Sequence, residues 1–296
     1  MDMSKYSIGN ERIVVTIDTF GAEIKSIKDC EDNEYIWNGD PVFWKRSAPV
    51  LFPIVGSLKD GRFVYDKEEY PMSQHGFARD MEFEMLSEAS NEIWFVLKWD
   101  EETYNKYPFM FSLKIGYIVE DNNVDVVWKV YNEDSKLMHF SIGGHPAFMC
   151  PIVEGEQQTQ YSISFNNDKE VLRYGLLNSN GLLEYLDNQA ALKSGVINID
   201  EHMFDKDAWI VEGEQASKVS LLDANARPYL SVAFDAPLFG LWSPAGKKAP
   251  FVCIEPWYGR CDKFNFVGEL DDREYSNCLK EGQRFKASYR ITIEQA

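Results

Sequence analysis

Phe109-Met110-Phe111-Ser112-Leu113-Lys114-Ile115-Gly116-Tyr117-Ile118-Val119-Glu120, then Asp121-Asn122-Asn123, then Val124-Asp125-Val126-Val127-Trp128-Lys129-Val130 is the stretch that decides the fold class. Phe109, Phe111, Leu113, Ile115, Tyr117 and Val119 recur every second residue among mainly polar neighbours, the period of a strand with one face in a core. Val124, Val126, Trp128 and Val130 resume that period after the Asp-Asn-Asn break. The two segments therefore predict a hairpin about a polar turn. Met81, Phe83 and Met85, followed by Ile93, Phe95, Leu97 and Trp99 across Ser87–Asn91, predict a second hairpin.

Outward from these, strands are predicted at Ile13–Ile17, Glu23–Ile27, Tyr35–Trp37, Arg62–Tyr65, Tyr161–Phe165, Trp209–Val211, Lys218–Leu222, Tyr229–Phe234, Phe251–Ile254 and Arg284–Ile293. Helical signal is confined to Glu101–Lys106 and Asp271–Leu279, neither of which carries a sustained apolar stripe of helical period. Strands and helices do not alternate, which argues against doubly wound nucleotide-binding folds. Pro151–Gln160 reads as a surface loop, and neither a fixed-period repeat nor a low-complexity linker divides the chain. The prediction is an all-β protein, one large antiparallel β-sandwich forming a single domain over residues 1–296.

Thirty Lys and Arg against 48 Asp and Glu give a net charge of −18, a field that repels nucleic acid and anionic lipid. No apolar run approaches the roughly 20 residues needed to span a bilayer, and Met1-Asp2-Met3-Ser4-Lys5-Tyr6 does not resemble a secretion signal. The five cysteines (Cys30, Cys150, Cys253, Cys261, Cys278) are scattered without a Cys-x-x-Cys pair, as expected for free thiols in a reducing compartment. A cytoplasmic monomer or homodimer is expected, with no nucleic-acid or membrane partner and a small molecule as ligand.

Two of the four histidines sit in constrained local sequence. His75 opens His-Gly-Phe-Ala-Arg, and His145 lies in Gly143-Gly144-His145-Pro146-Ala147-Phe148, where glycines free the backbone before the imidazole and proline stiffens it after. Such a histidine suits a fixed proton donor or acceptor. Glu255, in Cys253-Ile254-Glu255-Pro256-Trp257, is predicted to end an apolar strand, where an ionised carboxylate is costly unless it is partnered or functional. Taken singly, each of these residues is equally compatible with a structural role at a strand end.

Together and in this order, His-Gly-Phe-Ala-Arg (75–79), Gly-Gly-His-Pro-Ala-Phe (143–148) and Cys-Ile-Glu-Pro-Trp (253–257) resemble the aldose 1-epimerases, most closely the galactose mutarotase-related branch typified by the LacX proteins. The likeness runs from Gly21-Ala22-Glu23 through Trp44 and Leu51-Phe52-Pro53-Ile54-Val55-Gly56 to the Glu255 segment. The resemblance implies a galactose mutarotase-like sandwich that interconverts sugar anomers. It implies Glu255 as general base on the anomeric hydroxyl, His145 as general acid on the ring oxygen, and His75 as a sugar-polarising group beside them. It implies an aspartate on sugar hydroxyls, matched by Asp207 with Asp205 two residues away. Opening a hemiacetal needs one proton removed and one delivered, so a carboxylate with an imidazolium suffices and no cofactor or metal is expected. The three residues should then converge in one concave site.

Galactose mutarotases carry an Asn-Arg pair early in the chain and His-Gly-Gly at the first histidine. Here the sequences are Trp44-Lys45-Arg46 and His75-Gly76-Phe77-Ala78-Arg79, which resemble the hexose-6-phosphate epimerase branch. Arg46 and Arg79 could meet a phosphate through paired donors, or form ion pairs in an acidic protein. Trp44, Phe77, Phe148, Trp242 and Trp257 are candidates for stacking under a sugar ring, Trp257 foremost, although aromatics in a sandwich are more often core. The competing function is a sugar-binding or sugar-sensing protein without turnover. A metal-dependent hydrolase using His139 and His145 lacks a recognised ligand spacing.

Overall fold

The structure, a computed structural model, describes residues 5–294. The deciding stretch forms strands Phe111–Glu120 and Asn123–Asn132, paired from Glu120 opposite Asn123 to Phe111 opposite Asn132. Asp121 turns the chain at φ 52, a left-handed conformation that Asp and Asn tolerate better than other side-chain-bearing residues. The second hairpin pairs Glu84–Glu88 with Glu92–Lys98. Its first strand starts later than Met81 because Ala78–Asp80 form a 3-10 turn, and Ser87 belongs to the strand rather than to the turn.

These four strands make one flank of a nine-stranded antiparallel sheet. It continues through Arg284–Ile293, Pro228–Phe234, Lys218–Leu222 and Ser162–Phe165 to Val196–Asn198. An eight-stranded sheet runs from Leu183–Ala191 through Val171–Leu177, Trp209–Glu212, Leu238–Trp242, Phe251–Tyr258 and Ile142–Gly144 to Val50–Leu51. Ala147–Met149 also pairs with its Phe251–Tyr258 strand. Between the sheets lies a core drawn from the whole chain, Ile8 to Ile293, in which Trp128, Tyr117, Phe95 and Phe111 are fully buried. Each such side chain contributes roughly 1.5–3 kcal/mol relative to exposure.

Glu101–Lys106 is a short α-helix, started by Asp100, whose carboxylate accepts from Thr103 N at 2.7 Å while Thr103 Oγ1 accepts from Asp100 N at 2.8 Å. Three expectations change. Asp271–Leu279 is not helical throughout: a 3-10 turn at Leu270–Asp272 gives way to strand Asn277–Leu279, paired with Met138–Phe140. Tyr35–Trp37 makes only a single bridge, Ile36 to Phe148, in place of a strand. The strand beginning at Phe251 does not stop before Glu255 but runs on to Tyr258. No helix among the described residues is long and apolar enough to cross a membrane.

Candidate functional site

Alternation along Phe251–Tyr258 builds the site. Val252 and Ile254 point into the core between the sheets, whereas Phe251, Cys253, Glu255 and Trp257 take the opposite face. On that outer face Phe251 and Cys253 join Trp37 and Ala147, flanked by Trp44 and Trp242. Trp257 joins Leu51, Val55, Leu183, Ile210, Leu238 and Cys261. Glu255 lies between these two apolar clusters and is 1% exposed.

The neighbouring chain is interrupted beside it. Ile142–Gly144 and Ala147–Met149 both pair with Phe251–Tyr258, with Gly143 opposite Trp257 and Ala147 opposite Cys253. Continuing that register sets His145 opposite Glu255, in the gap between the two short strands. Pro256 can occupy the middle of the strand because its carbonyl faces Gly143. Its missing N–H therefore falls on the side of the short strand, at that strand's last residue, and not on the ladder with Leu238–Trp242. Across the gap His145 Nε2 stands 3.3 Å from Glu255 Oε2. The contact is not aligned as a hydrogen bond, and both Glu255 Oε2 and His145 Nδ1 are buried without one. The His145 backbone N–H donates to Pro49 O at 3.0 Å, which fixes the residue from its other side.

His75 arrives on a different segment. It and Gly76 both have positive φ, 66° and 69°, and a Cβ on Gly76 would lie 2.2 Å from Phe52 O, so this turn needs glycine. His75 N donates to Gly56 O at 2.9 Å, and Gly56 N donates to His75 Nδ1 at 3.1 Å. That reciprocal pair makes Nδ1 an acceptor and leaves the proton of the neutral ring on Nε2. The loop after Gly56 is anchored in turn: Lys59 N donates to Asp262 Oδ2, and Asp262 is held by a buried ion pair with Arg273 at 2.7 Å. The His75 and His145 rings meet edge to face with centroids 5.6 Å apart. The structure thus brings His75, His145 and Glu255 together.

Burial and neighbouring charge set the protonation of all three. Burial pushes His145 down to about 3, helped by the positive charge of Arg79. Burial, His145 and the two arginines hold His75 well below the usual histidine value. Burial raises Glu255 well above the usual carboxylate value, and the charge of Asp207 adds to the rise. Each group is therefore biased toward its neutral form. The expected ionised carboxylate beside an imidazolium is not the resting preference of this buried pair.

Trp44 stacks on His145 with centroids 4.7 Å apart, and Trp242 meets the same ring edge-on at 5.5 Å. Phe77 and Phe148 belong to the inter-sheet core. Trp257 lies over Gly143 and Gly240, at either of which a Cβ would come within 2.7 Å of its indole, and only 4% of it is exposed. Arg79 and Arg46 adjoin the histidines closely enough for their charges to act on them. Arg46 donates to Asp80 Oδ1 at 2.7 Å and to Arg79 O at 3.2 Å. Arg79 donates to Gln74 O, its buried Nε makes no hydrogen bond and stands 3.8 Å from Asp80 Oδ2, and burial pushes it down to about 10. Asp207 is exposed and its field reaches Glu255, whereas Asp205 is paired with His202 at 2.9 Å. His139 lies in the strand paired with Asn277–Leu279, within a separate two-stranded sheet.

Sequence reasoning passed over two residues here. Asp80 is the carboxylate that Arg46 engages. Cys253, two residues before Glu255 and so on the same strand face, has no chemical role in the sequence reading beyond its place in the Cys-Ile-Glu-Pro-Trp motif. Its position in a strand was the available signal. Hollows of about 390 and 520 Å³ border Gln215 elsewhere on the molecule. Their linings, which include Lys169, hold no histidine or cysteine, so the acid–base pair remains the stronger candidate.

Residues 4–292 match the aldose 1-epimerase family. The chain is 33% identical to the plasmid-encoded protein LacX of Lactococcus lactis subsp. lactis over 297 residues, covering 96% of this chain and 97% of that one. A galactose mutarotase related enzyme from Lactobacillus acidophilus superposes with a TM-score of 0.92 at 35% identity, over 99% of this chain and 98% of that one. A galactose mutarotase-like protein from Lactobacillus casei superposes with a TM-score of 0.90 at 26% identity, over 98% and 99%.

Proposed function

The chain belongs to the aldose 1-epimerase family, and on that premise we propose that it interconverts the α and β anomers of a hexose or hexose 6-phosphate by acid–base ring opening. The observation that carries this reading is the pairing of His145 with Glu255 at 3.3 Å on the outer sheet face. In the productive complex the Glu255 carboxylate takes the proton of the C1 hydroxyl while the His145 imidazolium protonates the ring oxygen. The C1–O bond of the ring breaks as the C1 carbonyl forms. Rotation about C1–C2 then exposes the other carbonyl face. On reclosure Glu255 returns its proton to O1 and His145 takes one from the ring-forming hydroxyl.

Only one proton is shared by the pair throughout. With Glu255 pushed up and His145 pushed down, the unliganded pair favours the proton on the carboxyl, the arrangement that follows ring opening. A closed sugar must draw that proton toward His145. His75, with Nε2–H as donor, polarises the sugar near the ring oxygen, and Asp207 holds sugar hydroxyls at the rim. Trp44 and Trp242, half-buried against His145, supply apolar surface for a pyranose face, with Trp257 beneath.

Arg46 and Arg79 support a phosphorylated substrate. Two guanidinium groups share Asp80, Arg46 at 2.7 Å and Arg79 Nε at 3.8 Å, and Arg79 Nε makes no hydrogen bond there. Five free cysteines support a cytoplasmic setting. The test is anomer exchange followed by NMR across free and 6-phosphorylated aldoses. Exchange above the buffer-catalysed background is expected for at least one. Binding without exchange across the panel would replace the enzyme with the sugar-binding protein.

A further inference from the structure

A ring nitrogen of His145, the thiol of Cys253 and a carboxylate oxygen of Glu255 lie within 4.8 Å of one another, all in buried residues. An imidazole, a thiol and a carboxylate form the mixed donor set that zinc takes at about 2.0–2.3 Å. Tetrahedral geometry at those lengths requires nitrogen and oxygen about 3.3 Å apart and sulfur about 3.6 Å from each. His145 Nε2 and Glu255 Oε2 are already 3.3 Å apart. From a ring nitrogen and a carboxylate oxygen that lie within 4.8 Å of it, the sulfur needs to close by at most about 1.2 Å to reach that edge length. A second, independent observation points to the same ligand: Glu255 Oε2 is buried, directed at His145 and not hydrogen-bonded. A cation between the two side chains would satisfy it.

We propose that His145, Cys253 and Glu255 form a zinc-binding site that overlaps the acid–base pair, so that a soft divalent cation binds in place of the sugar and silences the enzyme reversibly. Three protein ligands leave a fourth position for water. Binding releases the thiol proton of Cys253, and any proton on the pair, to solvent; no electrons are transferred. The metal ties up the electron pairs that Glu255 and His145 need for proton transfer. The site exists because Cys253 stands two residues from Glu255 on one strand face and opposite Ala147, itself two residues on from His145. Its consequence for turnover rests on the epimerase reading; the binding itself does not.

Metal-free protein carrying Cys30→Ser and Cys278→Ser, which removes the two exposed thiols, is titrated with Co²⁺ under reducing conditions. The expected result is a thiolate-to-cobalt charge-transfer band that is abolished by adding Cys253→Ser and, separately, His145→Asn. Zn²⁺ should inhibit anomer exchange and chelator should reverse it. Expressed against each variant's own metal-free rate, Cys253→Ser should weaken that inhibition by at least about tenfold, the loss that follows removal of even an outer-shell partner. No thiolate band, or a band that persists in Cys253→Ser, overturns the proposal. Should Cys253→Ser fail to fold, persistence of the band in His145→Asn overturns it equally. A normal band in a protein without anomer exchange would sink the epimerase reading and leave the metal site standing.

Discussion

Glu255 and His145 face each other at 3.3 Å with their proton affinities displaced in opposite directions, the carboxyl upward and the imidazole down to about 3. A pair so arranged holds a single proton over a wide pH range. The second proton enters only as pH falls toward the lowered histidine value, and the last one leaves only as pH rises through the raised carboxyl value. Anomer exchange should therefore show a broad plateau with an acid limb well below the ordinary histidine value of about 6.5. The limbs belong to the pair rather than to either residue. An NMR rate profile with its acid limb at the ordinary histidine value would contradict this.

Glu255→Gln keeps the shape and hydrogen-bonding capacity of the side chain but removes the proposed base, and His145→Asn removes the proposed acid. Each should lower kcat by roughly 10²–10⁴-fold, the usual worth of general acid or base catalysis, with little effect on sugar binding. The double variant should lose far less than the product of the two, because proton removal and delivery belong to one event. Single variants with unchanged exchange rates would remove the pair from the mechanism.

The same Glu255→Gln change should make the protein more stable. A carboxyl whose folded pKa lies above its unfolded one binds protons more tightly when folded, so its contribution is present below the unfolded value and is lost as pH rises through the folded one. At pH 8 the native carboxyl costs stability that the amide does not. A gain of roughly 0.5–2 kcal/mol, the range of single stabilising changes, is expected in urea melts. A less stable variant would show that the carboxyl has partners other than those described.

Arg79→Met tests the phosphate. It removes the charge while keeping much of the stem, so KM for a hexose 6-phosphate should rise at least about tenfold, a loss typical of an unpaired charged hydrogen bond. KM for the free hexose should stay within about twofold by the same reasoning, since no charge partner is lost. Equal changes for both sugars would mark Arg79 as structural support for the His75 turn.

The hairpin at Phe111–Asn132 was legible because one face meets a core and the other does not, which writes a two-residue period into the sequence. The reach of the strand through Glu255 to Tyr258 was not legible. Pro256 ordinarily argues against a central strand, and only the end of the neighbouring short strand makes it acceptable there. His75 and His145 stood out through their glycines and proline, yet nothing local to either sequence tells that their rings lie 5.6 Å apart. The contact depends on how Gly56, Phe52 and Gly76 bring two loops together. Arg46 and Arg79 were visible as candidates, but Asp80, which engages both, has no distinguishing sequence context.

The strand Phe251–Tyr258 presents Glu255 on one face while its other face, through Val252 and Ile254, is locked into the inter-sheet core. Arg46, Arg79 and Asp207, by contrast, stand on connecting segments and a short turn. On the proposed reading, the base and the groups that select the sugar thus stand on separable parts of the chain at Glu255, Arg46 and Asp207, whereas Arg79 shares its turn with His75. On that reading, grafting new segments around Arg46 and Asp207 would alter the choice of aldose while Glu255 stayed fixed on its strand.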